Sequence, residues 1–149
     1  MVGVPRPADH AGIRFQDDLE GVTPARLRGF FGGWPNPPTP ETHLRILRGS
    51  TAVVLAVDGE ADRVVGFVTA ISDGVLSAYL PLLEVLPAYR RRGIGGELVR
   101  RVLVALGDLY MVDVICDAGV LPFYRAIGLR PATGASLRRY ALQSGAPRS

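Results

Sequence analysis

The sequence predicts a mixed α+β domain with elements in the order β-α-α-β-β-β-α-β-α-β. Three stretches carry that prediction. Residues 51–57 and 64–71 are β-branched apolar runs separated by Asp58-Gly59-Glu60-Ala61-Asp62, the pattern of an antiparallel hairpin. Residues 80–87 form a short apolar run ended by Pro87, and Tyr89-Arg90-Arg91-Arg92-Gly93-Ile94-Gly95-Gly96 leads from it into a run of helical spacing. Residues 110–116 then give another strand, followed by a short helix at 121–127 that Gly128 stops.

The remaining elements follow in order. Residues 1–12 carry two prolines and two glycines and are expected to be a mobile leader, and Ile13-Arg14-Phe15 is a short first strand. Thr23-Pro24 is a helix start, with threonine as cap and proline at the first helical position. Leu27, Phe30 and Phe31 give that helix one apolar face, and Gly32-Gly33 ends it. The loop Trp34-Pro35-Asn36-Pro37-Pro38 is stiff; Trp34 either packs on the core or walls a pocket. Thr39-Pro40 starts a second helix over residues 41–48, with Leu44 and Leu47 inward and His43 on the exposed face. Ser72-Asp73-Gly74 turns the chain into a third strand at 75–85, where Pro81 calls for a bulge or a missing ladder bond. Leu98, Val102 and Leu106 follow Ile94 at four-residue steps along the next helix, and Gly107 stops it. Residues 129–131 and 136–142 supply the last strands, and a frayed polar tail begins at Gln143.

Composition narrows the function. The 149 residues read as one folded domain, 48% apolar and 21% charged. All 17 basic residues are arginine, scattered apart from positions 90–92, and the net charge is +3. A nucleic-acid binder would carry a basic stripe or tail instead. One cysteine, Cys116, and two histidines, His10 and His43, argue against a disulfide framework and a metal site. Cys116 lies in an apolar run and reads as a small buried hydrophobe. No apolar run approaches the ~20 residues that span a bilayer, and the expected location is the cytoplasm.

The arginine-glycine turn points to a phosphate ligand. A glycine-rich turn entering a helix brings unpaired backbone N–H groups and the positive end of the helix dipole to one place. A P-loop needs a lysine, and none exists. Gly93-Ile94-Gly95-Gly96 does not fit the spacing of a dinucleotide fingerprint.

Two signatures resemble those of the GNAT superfamily of N-acetyltransferases. Arg90-Arg91-Arg92-Gly93-Ile94-Gly95 follows Val85-Leu86-Pro87, and Pro122-Phe123-Tyr124-Arg125-Ala126-Ile127-Gly128-Leu129 follows one helix and one strand later. They cover roughly residues 50–130. The resemblance implies a central, mostly antiparallel sheet of about six to seven strands, the fourth and fifth splayed, flanked by about four helices.

It also implies acetyl-CoA as acyl donor, held by Val85, Leu86, Arg90, Arg91, Arg92, Gly93, Ile94, Gly95, Gly96, Asp117 and Phe123. Backbone N–H groups from Arg91 to Gly96 would take the pyrophosphate, and the pantetheine arm would lie between residues 83–85 and 112–116, bonding to Val85. The Val85 N–H is the natural donor to the thioester carbonyl. Asp117 stands where many members have an asparagine, which puts that contact in doubt. Tyr124 is the implied acid for the departing thiolate, and Glu84 the candidate base. Glu84 lies later on its strand than the usual glutamate, so it serves either as base or as partner to an arginine; Tyr79 is a lesser candidate for substrate contact. Asp17, Asp18 and Glu20 would attract a cationic amine or form a solvated loop. The expected activity is acetyl transfer to a primary amine of a small molecule or peptide. The alternative is a non-catalytic acyl-CoA sensor acting through a partner. Family analogy further suggests a homodimer formed through the C-terminal strands. The acceptor itself has no readable code.

Overall fold

The computed structural model of the protein describes residues 10–147. Of the leader expected over residues 1–12, residues 1–9 lie outside them. Six strands and three α-helices are present among the described residues: β1 (Ile13–Gln16), α1 (Pro40–Gly49), β2 (Ala52–Asp58), β3 (Arg63–Ser72), β4 (Ser77–Tyr79), β5 (Leu83–Val85), α2 (Ile94–Leu106), β6 (Met111–Asp113) and α3 (Leu121–Ala126). The strand order is β1-β2-β3-β4-β6, with β5 also pairing with β3, beyond the end of β4. All pairs are antiparallel except β4 with β6.

The expected hairpin is β2–β3, with Val54 opposite Val68 and Leu55 opposite Phe67. Both strands are buried almost end to end, as central strands covered on both faces must be. Phe67 meets the rings of Phe30 and His43 on one face, at 5.1 and 4.3 Å. Gly66, next in sequence, points the other way: a Cβ there would lie 3.1 Å from Leu98 and 3.4 Å from Ile94. The sheet is therefore sandwiched between α1 with residues 24–34 and α2, the latter burying Ile94, Leu98, Val99 and Val102.

The expected third strand is two pieces, β4 and β5, both lying along β3. Pro81 lies between them. β6 runs parallel to β4 as far as Tyr79 opposite Asp113, and Leu80 N–H still donates to Asp113 O at 3.0 Å. Pro81 has no N–H to continue the ladder. Beyond it β5 stays on β3 while residues 114–116 have no strand partner, which is the splay.

Several expectations are corrected. The first helix is only a 3-10 turn, Pro24–Leu27. Thr23 makes no side-chain cap, Arg28 is extended, and Gly29 and Phe31 have positive φ, so no helix can run through to Phe31. Leu27, Phe30 and Phe31 are still buried, from an irregular segment. His43 is not on an exposed face: it is 1% exposed, amid Phe30, Phe31 and Phe67. Residues 129–131 and 136–142 form no strand; Tyr140–Leu142 is a 3-10 turn. The tail from Gln143 is docked rather than frayed as far as it is described. Asn36 N–H donates to Gln143 Oε1 at 2.9 Å, and Asn36 Nδ2 donates to Tyr140 O at 3.2 Å. Trp34 is 37% exposed with its ring 4.9 Å from that of Phe31, half packed and half open.

Candidate active site

The arginine-glycine turn enters α2 as its sequence requires. Pro87–Tyr89 makes one 3-10 turn, Arg91 takes φ 63°, and Gly93 caps the helix at φ 80°. Gly93 offers no side chain to satisfy the helix start, and the first-turn amides of an α-helix have no acceptor within it. Glu97 N–H, bonded to Gly93 O at 3.2 Å, is where the helical ladder begins. Arg100 and Arg101 grip the Glu97 carboxylate at 2.6 and 2.7 Å; they hold it down to about 2, so it stays ionised, and their two positive charges offset the negative charge it places in the first turn. A Cβ at Gly95 would lie 3.6 Å from the Phe123 ring and 3.8 Å from Val85, while Gly96 faces open space. Val85, Gly95 and Phe123 are thus brought together, and Gly93, Gly95 and Gly96 put no side chain of their own at the helix start.

The register of β5 decides which main-chain groups face the splay. Leu86 N–H donates to Val65 O at 2.8 Å, and Thr69 N–H donates to Leu82 O at 3.0 Å. Antiparallel pairs alternate between bonded and non-bonded, so residues 82, 84 and 86 direct their groups to β3. Leu83 and Val85 direct theirs away from it. Arg90 Nε covers Val85 O at 2.9 Å. The Val85 N–H remains directed into the gap, as a donor to a ligand there would need to be.

Tyr124 is 6% exposed, its ring 5.0 Å from Phe123. It lines a groove of about 860 Å³ together with Tyr79, Val114, Cys116 and the loop 128–136. Burial, with Cys116 and Tyr79 close by, raises its phenol above the ordinary value, so it is protonated at neutral pH and can donate. Cys116 is half-buried and free, packed against the core and lining this groove.

Glu84 is opposite Phe67 and so points to the α1 face, away from α2. Both of its carboxylate oxygens accept the Phe31 N–H, at 3.1 and 2.8 Å. Among the described residues it makes no ion pair with an arginine. Tyr124 and Glu84 therefore have different surroundings, the groove beside β6 and the segment around Phe31. Leu86 is buried in the core, and Asp117 is exposed at the start of the 3-10 turn Ala118–Val120. The link between Tyr89 and Asp58, Tyr89 Oη donating at 2.7 Å, was not foreseen; the only signal was a tyrosine abutting the arginine run. Among the described residues no group of three or more His, Cys, Asp and Glu is placed to hold a metal, and no helix is long and apolar enough to cross a membrane.

A glycine cradle at a helix start, beside strands splayed at a proline, is the architecture of an acyl-group transferase. The profile of the Acetyltransferase (GNAT) family matches residues 19–129. The chain belongs to that family. A candidate acetyltransferase of solved structure from Deinococcus radiodurans R1 is 57% identical, with a TM-score of 0.90, over 93% of this chain and 96% of that one. A GNAT family acetyltransferase from Streptococcus pneumoniae TIGR4 is 29% identical, with a TM-score of 0.69, over 85% of this chain and 98% of its own. GCN5-related N-acetyltransferase 3, chloroplastic, of Arabidopsis thaliana is 38% identical over 68 residues. That match takes in 44% of this chain and only 29% of the plant protein's length.

Proposed function

We propose that the protein transfers an acetyl group from acetyl-CoA to a primary amine of a small molecule or peptide. The observation that carries this reading is a start of α2 built of Gly93, Gly95 and Gly96, beside the gap-facing N–H of Val85, with the ring of Phe123 against Gly95 and 5.0 Å from that of Tyr124. Acetyl-CoA supplies the activated acyl group as a thioester. The amides from Arg91 to Gly96 hold its pyrophosphate, where side chains would keep the phosphates at a distance. Leu83 and Val85 hold the pantetheine arm as an added strand would be held, with the Val85 N–H toward the thioester carbonyl.

The amine nitrogen forms the new bond to the acetyl carbon and the carbon–sulfur bond breaks. The Tyr124 phenol donates its proton to the departing sulfur, and the amine's surplus proton goes to Glu84, directly or through water. A carboxylate has about four acceptor positions, so the bond to Phe31 leaves Glu84 capacity for that proton. A buried, protonated phenol supports the enzyme over a non-catalytic sensor, which has no use for an acid at the sulfur.

The test is release of free CoA thiol from acetyl-CoA across a panel of amines and peptides. Release that depends on both acetyl-CoA and one acceptor class is expected. Tight acetyl-CoA binding with no release on any acceptor would favour the sensor instead.

A further inference from the structure

The geometry assigns three different tasks to the three consecutive arginines, and makes Tyr89 and Asp58 positioning residues for the phosphate cradle. This rests on the acetyl-CoA reading above. Arg90 faces back along its own strand end, its Nε donating to Val85 O at 2.9 Å. Arg92 folds back over Tyr89: its guanidinium lies 5.6 Å from the centre of the Tyr89 ring, and its Nη2 donates to Ala11 O at 3.2 Å. Tyr89 in turn donates to Asp58 Oδ2 at 2.7 Å. Asp58 is fixed from the other side, because its Oδ1 accepts the N–H groups of Glu60 and Ala61 at 3.0 and 3.1 Å. The turn of the β2–β3 hairpin, Asp58, Tyr89 and Arg92 thus form one continuous brace running to the cradle.

Arg91 lies between the two anchored arginines. Its side chain is exposed and, among the described residues, has no hydrogen bond, ion pair or ring partner. Its backbone has φ 63°, a conformation that an L-residue with a long side chain adopts only when its surroundings impose it. Arg90 on one side and Arg92 on the other impose it. The brace therefore aims the amides that follow Arg91, and Arg91, the one of the three whose side chain has no partner among the described residues, brings its whole guanidinium to a phosphate. Asp58 and Tyr89 never touch the ligand; they act through the turn.

Calorimetric titration with CoA at several salt concentrations, alongside melting temperatures, tests this on the wild-type protein and on Tyr89→Phe, Asp58→Ala, Asp58→Asn and Arg91→Gln. Loss of one hydrogen bond in the brace is expected to weaken binding about fivefold in both Tyr89→Phe and Asp58→Ala, with the double variant no weaker than either. Asp58→Asn keeps an acceptor for the phenol and restores most of the affinity. Arg91→Gln flattens the salt dependence of binding, because it removes a charge contact, while Tyr89→Phe leaves that dependence unchanged. Wild-type protein that binds CoA, with Tyr89→Phe and Asp58→Ala binding equally well, overturns the brace and leaves the acetyl-CoA reading intact. Wild-type protein that does not bind CoA at all overturns both.

Discussion

Phe31 has φ 63°, an uncommon conformation for a bulky residue, and its N–H is held by the carboxylate of Glu84, 53 residues further along the chain. Glu84 thereby clamps this segment, and the proposed mechanism adds a second, separable role, accepting a proton. Glu84→Gln keeps an acceptor oxygen for Phe31 but is no base; it is expected to lower kcat with little change in Tm. Glu84→Ala loses both and costs roughly 1.5–3 kcal/mol of stability as well, measured by urea unfolding. Equal melting temperatures for the two variants would contradict the clamp. For Tyr124, replacement by Phe removes only the hydroxyl. A kcat lower by roughly tenfold or more with unchanged acetyl-CoA affinity is expected, checked by steady-state kinetics and calorimetry. His43 has both ring nitrogens buried without partners among the described residues, and burial pushes its imidazole down to about 4. The unfolded chain binds a proton near pH 6.5 and the folded one only near 4, so this contribution is whole above pH 6.5 and lost as pH falls toward 4. The linkage is worth on the order of 3 kcal/mol, and His43→Phe should remove that part of the pH dependence in unfolding measured from pH 7 to 4.

At the scale of elements, Gly66 is the point where β3 lets α2 approach the sheet. A Cβ there would lie 3.1 Å from Leu98, itself fully buried with no room to retreat, and 3.4 Å from Glu84 O. Gly66→Ala is expected to destabilise by about 1–3 kcal/mol through overpacking, seen as a lower urea midpoint at unchanged slope. Elements shaped by local chemistry were legible in the sequence. The hairpin of β2 and β3, the helix α1 started by Thr39-Pro40, and α2 between its two glycines all follow from period and punctuation. Pro81 signalled a missing ladder bond, although its consequence, division into β4 and β5, depends on β3 and β6 as neighbours. What escaped was decided at long range. Thr23-Pro24 started no α-helix, because the segment bends back at Gly29 and Phe31 and its amide bonds to Glu84. His43 has a polar side chain that pattern alone places outside, whereas the three phenylalanines around it come from two other segments. Bonds from Asn36 to Tyr140 and Gln143, more than 100 residues away, anchor a tail that composition marks as frayed.

For the whole molecule, the cradle sits where three parts of the chain converge: the β2–β3 turn through Asp58, the strand end through Val85, and α3 through Phe123. Its glycines and arginines were legible because the motif is contiguous. The brace was not, because Tyr89 and Asp58 are 31 residues apart. Such a site links binding to global stability. CoA at a hundredfold excess over its Kd should stabilise the fold by about 2.7 kcal/mol, roughly 5–10 °C in Tm, measured by differential scanning calorimetry. The most direct test of where that ligand binds is backbone amide chemical shifts followed by NMR as CoA is titrated in. The largest changes are expected at the amides from Arg91 to Gly96 and at Val85, with smaller ones at Phe123 and Tyr124. Unmoved amides at Arg91–Gly96, with the changes concentrated elsewhere on the protein, would contradict the account.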